Sequence, residues 1–290
     1  MSSSDSPLVS VIMSNLNKGG YVRDAIESLL RQSYQNFELL FVDNGSTDGS
    51  REMAQECGGR DKRFISLSES AKGAANVFNK GLRESRGDLI TFLDSDDVCS
   101  QQRLKKQVTL LDEDPGVAGC HTNAWIIDET GEPTGRIYHP DISYVPNSAS
   151  DGHIFSPLLE KGFVLGMTMM LRRKYVERES FDVSLRYGWD WDLWLRLAYR
   201  YRFAYIPEPL YGYRIYSGNT PSTLKLIYHP LIYEKYLNSF DLTEDDRKVV
   251  IEKLIRLYRR NRSYMKLLRL LVSEETARNL GYKSLLRRLG

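Results

Sequence analysis

The 290-residue chain is 41% hydrophobic and carries a formal net charge of +2. It is long enough to bury one large α/β core, and it shows no overall bias toward nucleic acid or membrane. Cys57, Cys99 and Cys120 are odd in number and form no CxxC, which points to a reducing compartment. His121, His139, His153 and His229 are dispersed, and neither a zinc cluster nor HExxH is present. Residues 1–7 are polar and read as no signal peptide, and the longest apolar candidate, 163–171, is too short to cross a bilayer, so a cytoplasmic protein is expected.

In chain order, 9–13 reads as a buried strand, 21–32 as a helix with Val22, Ile26, Leu29 and Leu30 on one face, and 37–42 as a second strand. A turn at 43–46 leads to a helix over 47–57, a short strand near 64–67 and a helix over 74–85. The Gly45-to-Ser50 run reads as a turn with Thr47 or Asp48 as helix cap rather than as a phosphate loop. No GxGxxG follows the first strand and no GxxxxGK[ST] occurs, which excludes dinucleotide-binding and P-loop readings. The apolar run Leu89 to Phe92 then meets Leu93-Asp94-Ser95-Asp96-Asp97, three carboxylates in four residues.

Strands alternating with helices of this length predict a mostly parallel sheet, with ligands outside the carboxyl ends of its strands. Residues 14–18, 43–46 and 94–97 should therefore converge on one crevice. Crowded carboxylates repel one another unless a cation neutralises them, and Mg²⁺ or Mn²⁺ is the natural choice. An isolated D-x-D is more often a solvated acidic turn. Asp97 reads either as a second metal ligand or as a helix-start acid before 101–111. Residues 131–162, rich in Pro, Ser, Asp and Gly, read as a long loop near the substrate, and helical spacing resumes at 191–201 and beyond 224.

Three segments together resemble family 2 glycosyltransferases: VSVIMSNLNK at 9–18 with QSYQNFEL at 32–39 and VDNGSTD at 42–48; GDLITFLDSDD at 87–97; and GWDWDLWLRLA at 188–198. The resemblance runs over about 7–216 and implies a GT-A fold: α/β, a mostly parallel Rossmann-like sheet flanked by helices, with a helical C-terminal extension. The implied domains are a transferase domain at 7–222 and an extension at 223–290. The implied activity is inverting transfer of a sugar from a nucleoside diphosphate, UDP-sugars favoured, to a hydroxyl on a carbohydrate, lipid-linked or protein-linked acceptor, in the synthesis of surface polysaccharide, glycolipid or glycoprotein glycans. By position, Ser14, Asn17, Asp43 and Asn44 match the nucleotide-sugar grip, Asp94 the ribose side of the D-x-D, Asp96 the ligand of Mn²⁺ or Mg²⁺, and Asp190 the general base. Arg214 reads as a contact to the diphosphate or as a surface arginine.

Asp190 also fits a plain helix cap, and Trp189, Trp191 and Trp194 fit core packing better than an acceptor platform. Leu16 stands where a base-stacking aromatic is common in the family, Asn44 where Asp is frequent, and Phe78 where many members place Arg. The alternative of a different class is a non-catalytic nucleotide-sugar-binding module, against which the presence of both Asp96 and Asp190 argues.

From 247 to 290, Arg and Lys far outnumber Glu252, Glu274 and Glu275, and Val250, Ile251, Leu254, Ile255 and Tyr258 recur at helical spacing. A basic amphipathic helix of this kind either lies on an anionic membrane surface or packs its apolar stripe on the catalytic domain or on a second subunit, making a homo-oligomer. It carries no recognised nucleic-acid motif.

Overall fold

The structure, a computed structural model, describes residues 6–138, 152–219 and 224–271. The chain divides into two compact units, one drawn from 1–155, 163–184 and 189–219, the other from 156–162, 185–188 and 220–290.

The first unit is built on a mixed sheet. Its first half is parallel: β1 (Val9–Asn15) lies between β2 (Phe37–Asp43) and β4 (Leu89–Asp94), with β3 (Phe64–Ser68) outside β2. Every residue of β2 is buried, as expected of a parallel strand covered on both faces. The crossovers are helical: α1 (Val22–Leu30), α2 (Ser50–Gly58) and α3 (Ala74–Glu84). In α3, a Cβ on Gly81 would stand 2.2 Å from Ile12, so only glycine lets this helix lie so close to β1. Buried Glu38 in β2 is satisfied by Ser10 Oγ at 2.7 Å, by the Arg86 amide at 2.7 Å and by its guanidinium.

Beyond β4 the sheet departs from the parallel expectation. Strand β8 (Met170–Arg172) runs antiparallel to both β4 and β6 (Gly119–Ile127). Strand β9 (Phe203–Arg214) lies parallel to β6, and β5 (Val98–Cys99) and β7 (Pro133–Ile137) pair antiparallel at β9 and β6. Helix α4 (Arg103–Glu113) follows β5, and the short α6 (Arg173–Val176) follows β8. Helix α7 (Trp189–Ala198) starts two residues earlier than the sequence spacing predicts.

The loop expected over 131–162 is a correction: it contains β7 and α5 (Phe155–Lys161), while 139–151 lie outside the described residues. All five residues of β7 are exposed, so no buried face marked it as a strand. Pro207 and Pro209 hid β9; the register slips between Thr122–Ile206 and Asn123–Pro209, and this bulge accommodates them.

The second unit contains α8 (Lys225–Ser239), α9 (Glu244–Arg260) and α10 (Tyr264–Leu271). Thr243 caps α9 by accepting the Asp246 N–H at 3.1 Å; acids fill its first turn and Arg259 and Arg260 its last, both favoured by the helix dipole. Val250, Ile251, Leu254, Ile255 and Tyr258 are buried as the helical spacing predicts, with Leu237, Leu267 and Leu270 packed on Ile251 and Ile255. Among the described residues, no helix is long and apolar enough to cross a membrane.

Candidate active site

Strand register assembles the crevice. Ser14 stands opposite Asp94 and Asn15 opposite Asp43, so side chains distant in sequence meet at the carboxyl ends of β1, β2 and β4. Ser14 Oγ donates to Asp94 Oδ1 at 2.7 Å. Asn15 Nδ2 donates to Asp43 Oδ1 at 2.9 Å, and Asp43 also accepts the Gly45 and Ser46 amides and the Ser46 hydroxyl. Burial works against ionisation of Asp43, but these donors outweigh it and hold its carboxyl below the usual range. Asn17, in the left-handed region at φ 55°, ties the two turns by donating its amide to Ser46 Oγ and accepting the Thr47 amide.

Asp94, Asp96 and Asp97 each bring a carboxylate oxygen within 4.8 Å of the others. Asp96 Oδ2 accepts from Lys18 Nζ at 2.6 Å and from the Tyr216 hydroxyl at 2.7 Å, and Lys18 also touches that hydroxyl. Burial alone would lower the proton affinity of the Lys18 ammonium, yet Asp96 holds it above the ordinary lysine value. Burial, and then the charge of Asp96, push the Asp94 carboxyl up to about 7, against the pull of Ser14 and Lys18. Burial followed by Asp96 and Asp94 raises Asp97 as well. A compact set of hard oxygen donors, in which burial and the charge of neighbouring acids raise Asp94 and Asp97, fits Mg²⁺ or Mn²⁺.

This cluster sets a pH dependence. The folded chain holds the Asp94 proton more tightly than the unfolded chain, where Asp titrates near 3.9. The cluster's contribution to cation-free stability should therefore fall as pH rises from about 4 through about 7. Glu38 and Asp43, whose carboxyls are depressed, act the other way at the low end of that range, and His229, whose imidazole burial lowers to about 4, acts the other way across most of it. Thermal midpoints measured against pH in EDTA and in Mn²⁺ separate the cluster from these groups: Mn²⁺ should raise the midpoint at about pH 8 more than at about pH 5. An equal Mn²⁺ effect at both would contradict a cation site here.

Asp190 sits half-buried in the first turn of α7, after Gly188 at φ 74°. Its charge reaches the acidic cluster: it contributes to the raised proton affinity of Asp94 and of the Tyr138 hydroxyl, both raised chiefly by burial. A Cβ on Gly166 would stand 2.2 Å from Asp190 Oδ2, so glycine leaves the space this carboxylate uses. Because α7 begins at Trp189, Asp190 lies inside the first turn rather than at its cap.

Three expectations are corrected. Arg214 does not lie open to a diphosphate: it is 1% exposed, donating Nε to the Asp96 carbonyl at 2.7 Å, Nη1 to the Asp128 and Glu129 carbonyls and Nη2 to Asp24. It is a buried strut behind the acidic turn. Asn44 commits its amide to another loop, donating to the Glu69 and Ala71 carbonyls and accepting the Gly73 amide, so it shapes the crevice wall. Asp97 starts no helix: it precedes β5, and its two oxygens accept from the Tyr211 hydroxyl at 2.6 Å and the Arg214 amide at 2.8 Å. Trp191 and Trp194 are buried and Trp189 stacks on Phe78 at 5.0 Å, the packing role favoured for all three. Leu16 is 45% exposed beside the crevice strands.

Sequence reasoning missed Tyr216 and Gly166 as parts of this crevice. Lys18 lay in the span 14–18 expected to line it, three residues beyond the end of β1, but carried no assigned role. Tyr216 and Gly166 arrive from far along the chain with no local pattern to announce them.

The chain combines a mixed α/β sheet with three clustered acids at the carboxyl end of β4. The chain matches Glycosyl transferase family 2 over residues 10–179, more than half its length, and it belongs to that family. It is 29% identical to the putative teichuronic acid biosynthesis glycosyltransferase TuaG of Bacillus subtilis, over 74% of this chain and 82% of TuaG. It is 28% identical to the putative glycosyltransferase EpsH of the same organism, over 74% of this chain and 63% of EpsH. An uncharacterized glycosyltransferase of Rickettsia bellii is 30% identical over 73% of this chain. The chain spans less than two thirds of the last two relatives, only 29% of the Rickettsia protein.

Among solved structures, S. aureus TarS 1-349 in complex with UDP-GlcNAc superposes with a TM-score of 0.68 at 20% identity, covering 97% of this chain and 81% of that one. The mannosyltransferase PcManGT of Pyrobaculum calidifontis, in complex with GDP-Man and Mn²⁺, gives 0.67 at 16% identity, covering 99% and 75%. At these identities the likeness establishes the shared fold.

Proposed function

We propose that this chain is an inverting, cation-dependent glycosyltransferase that moves a sugar from a nucleoside diphosphate, UDP-sugars favoured, to an acceptor hydroxyl, with Asp190 as general base. The observation that carries the reading is that the charge of Asp190 reaches Asp94 of the acidic cluster, as the charge of Asp96 does more strongly. Ser14 orients Asp94, and Asn15 and Ser46 orient Asp43 toward the nucleoside side, with Asn17 bracing the turn and Asn44 the wall behind it.

Asp96, with Asp94, would hold Mn²⁺ or Mg²⁺, which supplies Lewis-acid stabilisation to the departing diphosphate. Lys18 adds a fixed positive charge beside it. A leaving group handled in this way needs no protonating acid, unlike the alkoxide leaving group of glycoside hydrolysis, so one carboxylate on the acceptor side suffices. Asp190 takes the acceptor proton as the hydroxyl attacks the sugar face opposite the diphosphate, which inverts the anomeric centre. TuaG, named for teichuronic acid biosynthesis, supports a polysaccharide context.

Thermal-shift screening of nucleotide sugars with and without Mn²⁺ tests the donor half, since a ligand that binds the folded chain raises its midpoint by mass action. A UDP-sugar should give the largest Mn²⁺-dependent rise; no Mn²⁺-dependent rise with any nucleotide sugar would overturn the reading.

The transferase domain is proposed at 7–222 and the extension at 223–290, with peripheral membrane contact through 247–290. Tyr264, Met265 and Leu268 on α10 are exposed by 63%, 67% and 52%, while Leu267 and Leu270 face inward. Arg260, Arg262 and Arg269 flank them in sequence, the mixture of apolar and basic side chains that suits an anionic lipid surface and a lipid-linked acceptor. Sedimentation with phosphatidylglycerol vesicles should carry the protein down at low salt and release it at high salt. A Tyr264→Ser/Leu268→Ser variant that sediments like the parent would refute this contact.

A further inference from the structure

Trp194 in α7 is 1% exposed, and its indole Nε1 has no hydrogen-bond partner. A donor held out of water without an acceptor is unfavourable, so its persistence calls for a physical reason. Asp190 lies one turn earlier, an i, i+4 spacing that puts the two side chains on the same helix face. Their polar atoms converge on one point: a Cβ on Gly166 would stand 2.2 Å from Asp190 Oδ2 and 2.9 Å from Trp194 Nε1. The indole is held in place by Phe92, with centroids 5.5 Å apart, and by Phe181 at 6.0 Å edge-on, so its N–H direction is set by packing. The Asp190 carboxylate is the acceptor that borders the same space as the indole N–H.

We propose that the Trp194 Nε1–H is the donor that seats the Asp190 carboxylate during transfer, which makes Trp194 a positioning residue for the base. This rests on Asp190 being the base. With one oxygen held by the indole, the other is left to take the acceptor proton. As that proton moves to Asp190, the hydroxyl oxygen bonds to the anomeric carbon, and the bond to the nucleoside diphosphate breaks with its electron pair leaving on the phosphate. The indole keeps its own proton throughout. The donor also disfavours protonation of Asp190, opposing Asp94 on β4, which repels it. Tyr138, just beyond β7, also interacts with Asp190 electrostatically.

Two replacements test the role. Trp194→Phe keeps an aromatic ring and deletes the N–H; an isosteric benzothienyl analogue at position 194, with sulfur for N–H, deletes the donor without altering volume. Both should retain parental affinity for nucleoside diphosphate with Mn²⁺, lower kcat by about 10- to 100-fold, the usual span for a hydrogen bond to a charged group, and move the acid limb of the kcat–pH profile to higher pH. In an Asp190→Asn background either replacement should cause no further loss. Parental kcat and an unmoved acid limb in the benzothienyl protein would overturn the inference, while Asp190→Asn still lowering transfer on the order of 10³-fold would leave the base assignment standing. Parental transfer by Asp190→Asn alone would instead remove the base, and this inference with it.

Discussion

Asp190→Asn should leave nucleoside-diphosphate binding intact and lower the transfer rate on the order of 10³-fold, the middle of the range for loss of a general base. The substitution preserves size and removes the negative charge. Asn stays compatible with the first turn of α7, and the slot left by Gly166 still receives it, so the thermal midpoint should hold. The charge of Asp190 is one of the influences that raise Asp94. Its removal should let Asp94 ionise more readily, so Mn²⁺-dependent binding of UDP or GDP should tighten slightly if it changes at all. Calorimetry with UDP and Mn²⁺ reads the first half and initial transfer rates read the second. Transfer at the parental rate would refute Asp190 as base; loss of nucleotide binding would move it to the donor side of the crevice.

The parallel half of the sheet was legible because β1, β2 and β4 are buried apolar runs and β1, β2 and β3 are each followed by a helix of crossover length, a pattern that composition reports directly. The acidic turn was legible for the same reason: Asp94, Asp96 and Asp97 follow the most apolar of those runs. The antiparallel half was not. Strand β8 has only three residues, β7 buries nothing, and β9 carries two prolines that a bulge absorbs. Roles that depend on a partner's position were least legible. Arg214 and Asn44 were readable as polar residues near strand ends, but which way their donors point is decided by carbonyls of 128–129 and 69–71, and no spacing rule links those segments. Gly166 is the limiting case, since what matters there is the atom it lacks.

Asp96→Ala should abolish Mn²⁺-dependent binding of nucleoside diphosphate and lower transfer on the order of 10³-fold, the equivalent of about 4 kcal/mol of charge stabilisation. Two effects reinforce each other. The cluster loses the carboxylate that the resemblance assigns to the cation, and Lys18 loses the acceptor that holds its ammonium in place. The Tyr216 hydroxyl loses the same acceptor, so the segment after β9 is released from the turn. Without cation the expected stability change is smaller than loss of an ion pair suggests, because Asp96 is the leading charge that raises both Asp94 and Asp97. The cluster's downward contribution to the midpoint between about pH 4 and pH 7 should therefore shrink in the variant. Asp96→Asn separates charge from shape: it can still accept from Lys18 and Tyr216, yet should fail to support Mn²⁺-dependent binding. If Asp96→Asn retained that binding, the negative charge at this position would be irrelevant to the cation, and Asp94 and Asp97 would be left to hold it.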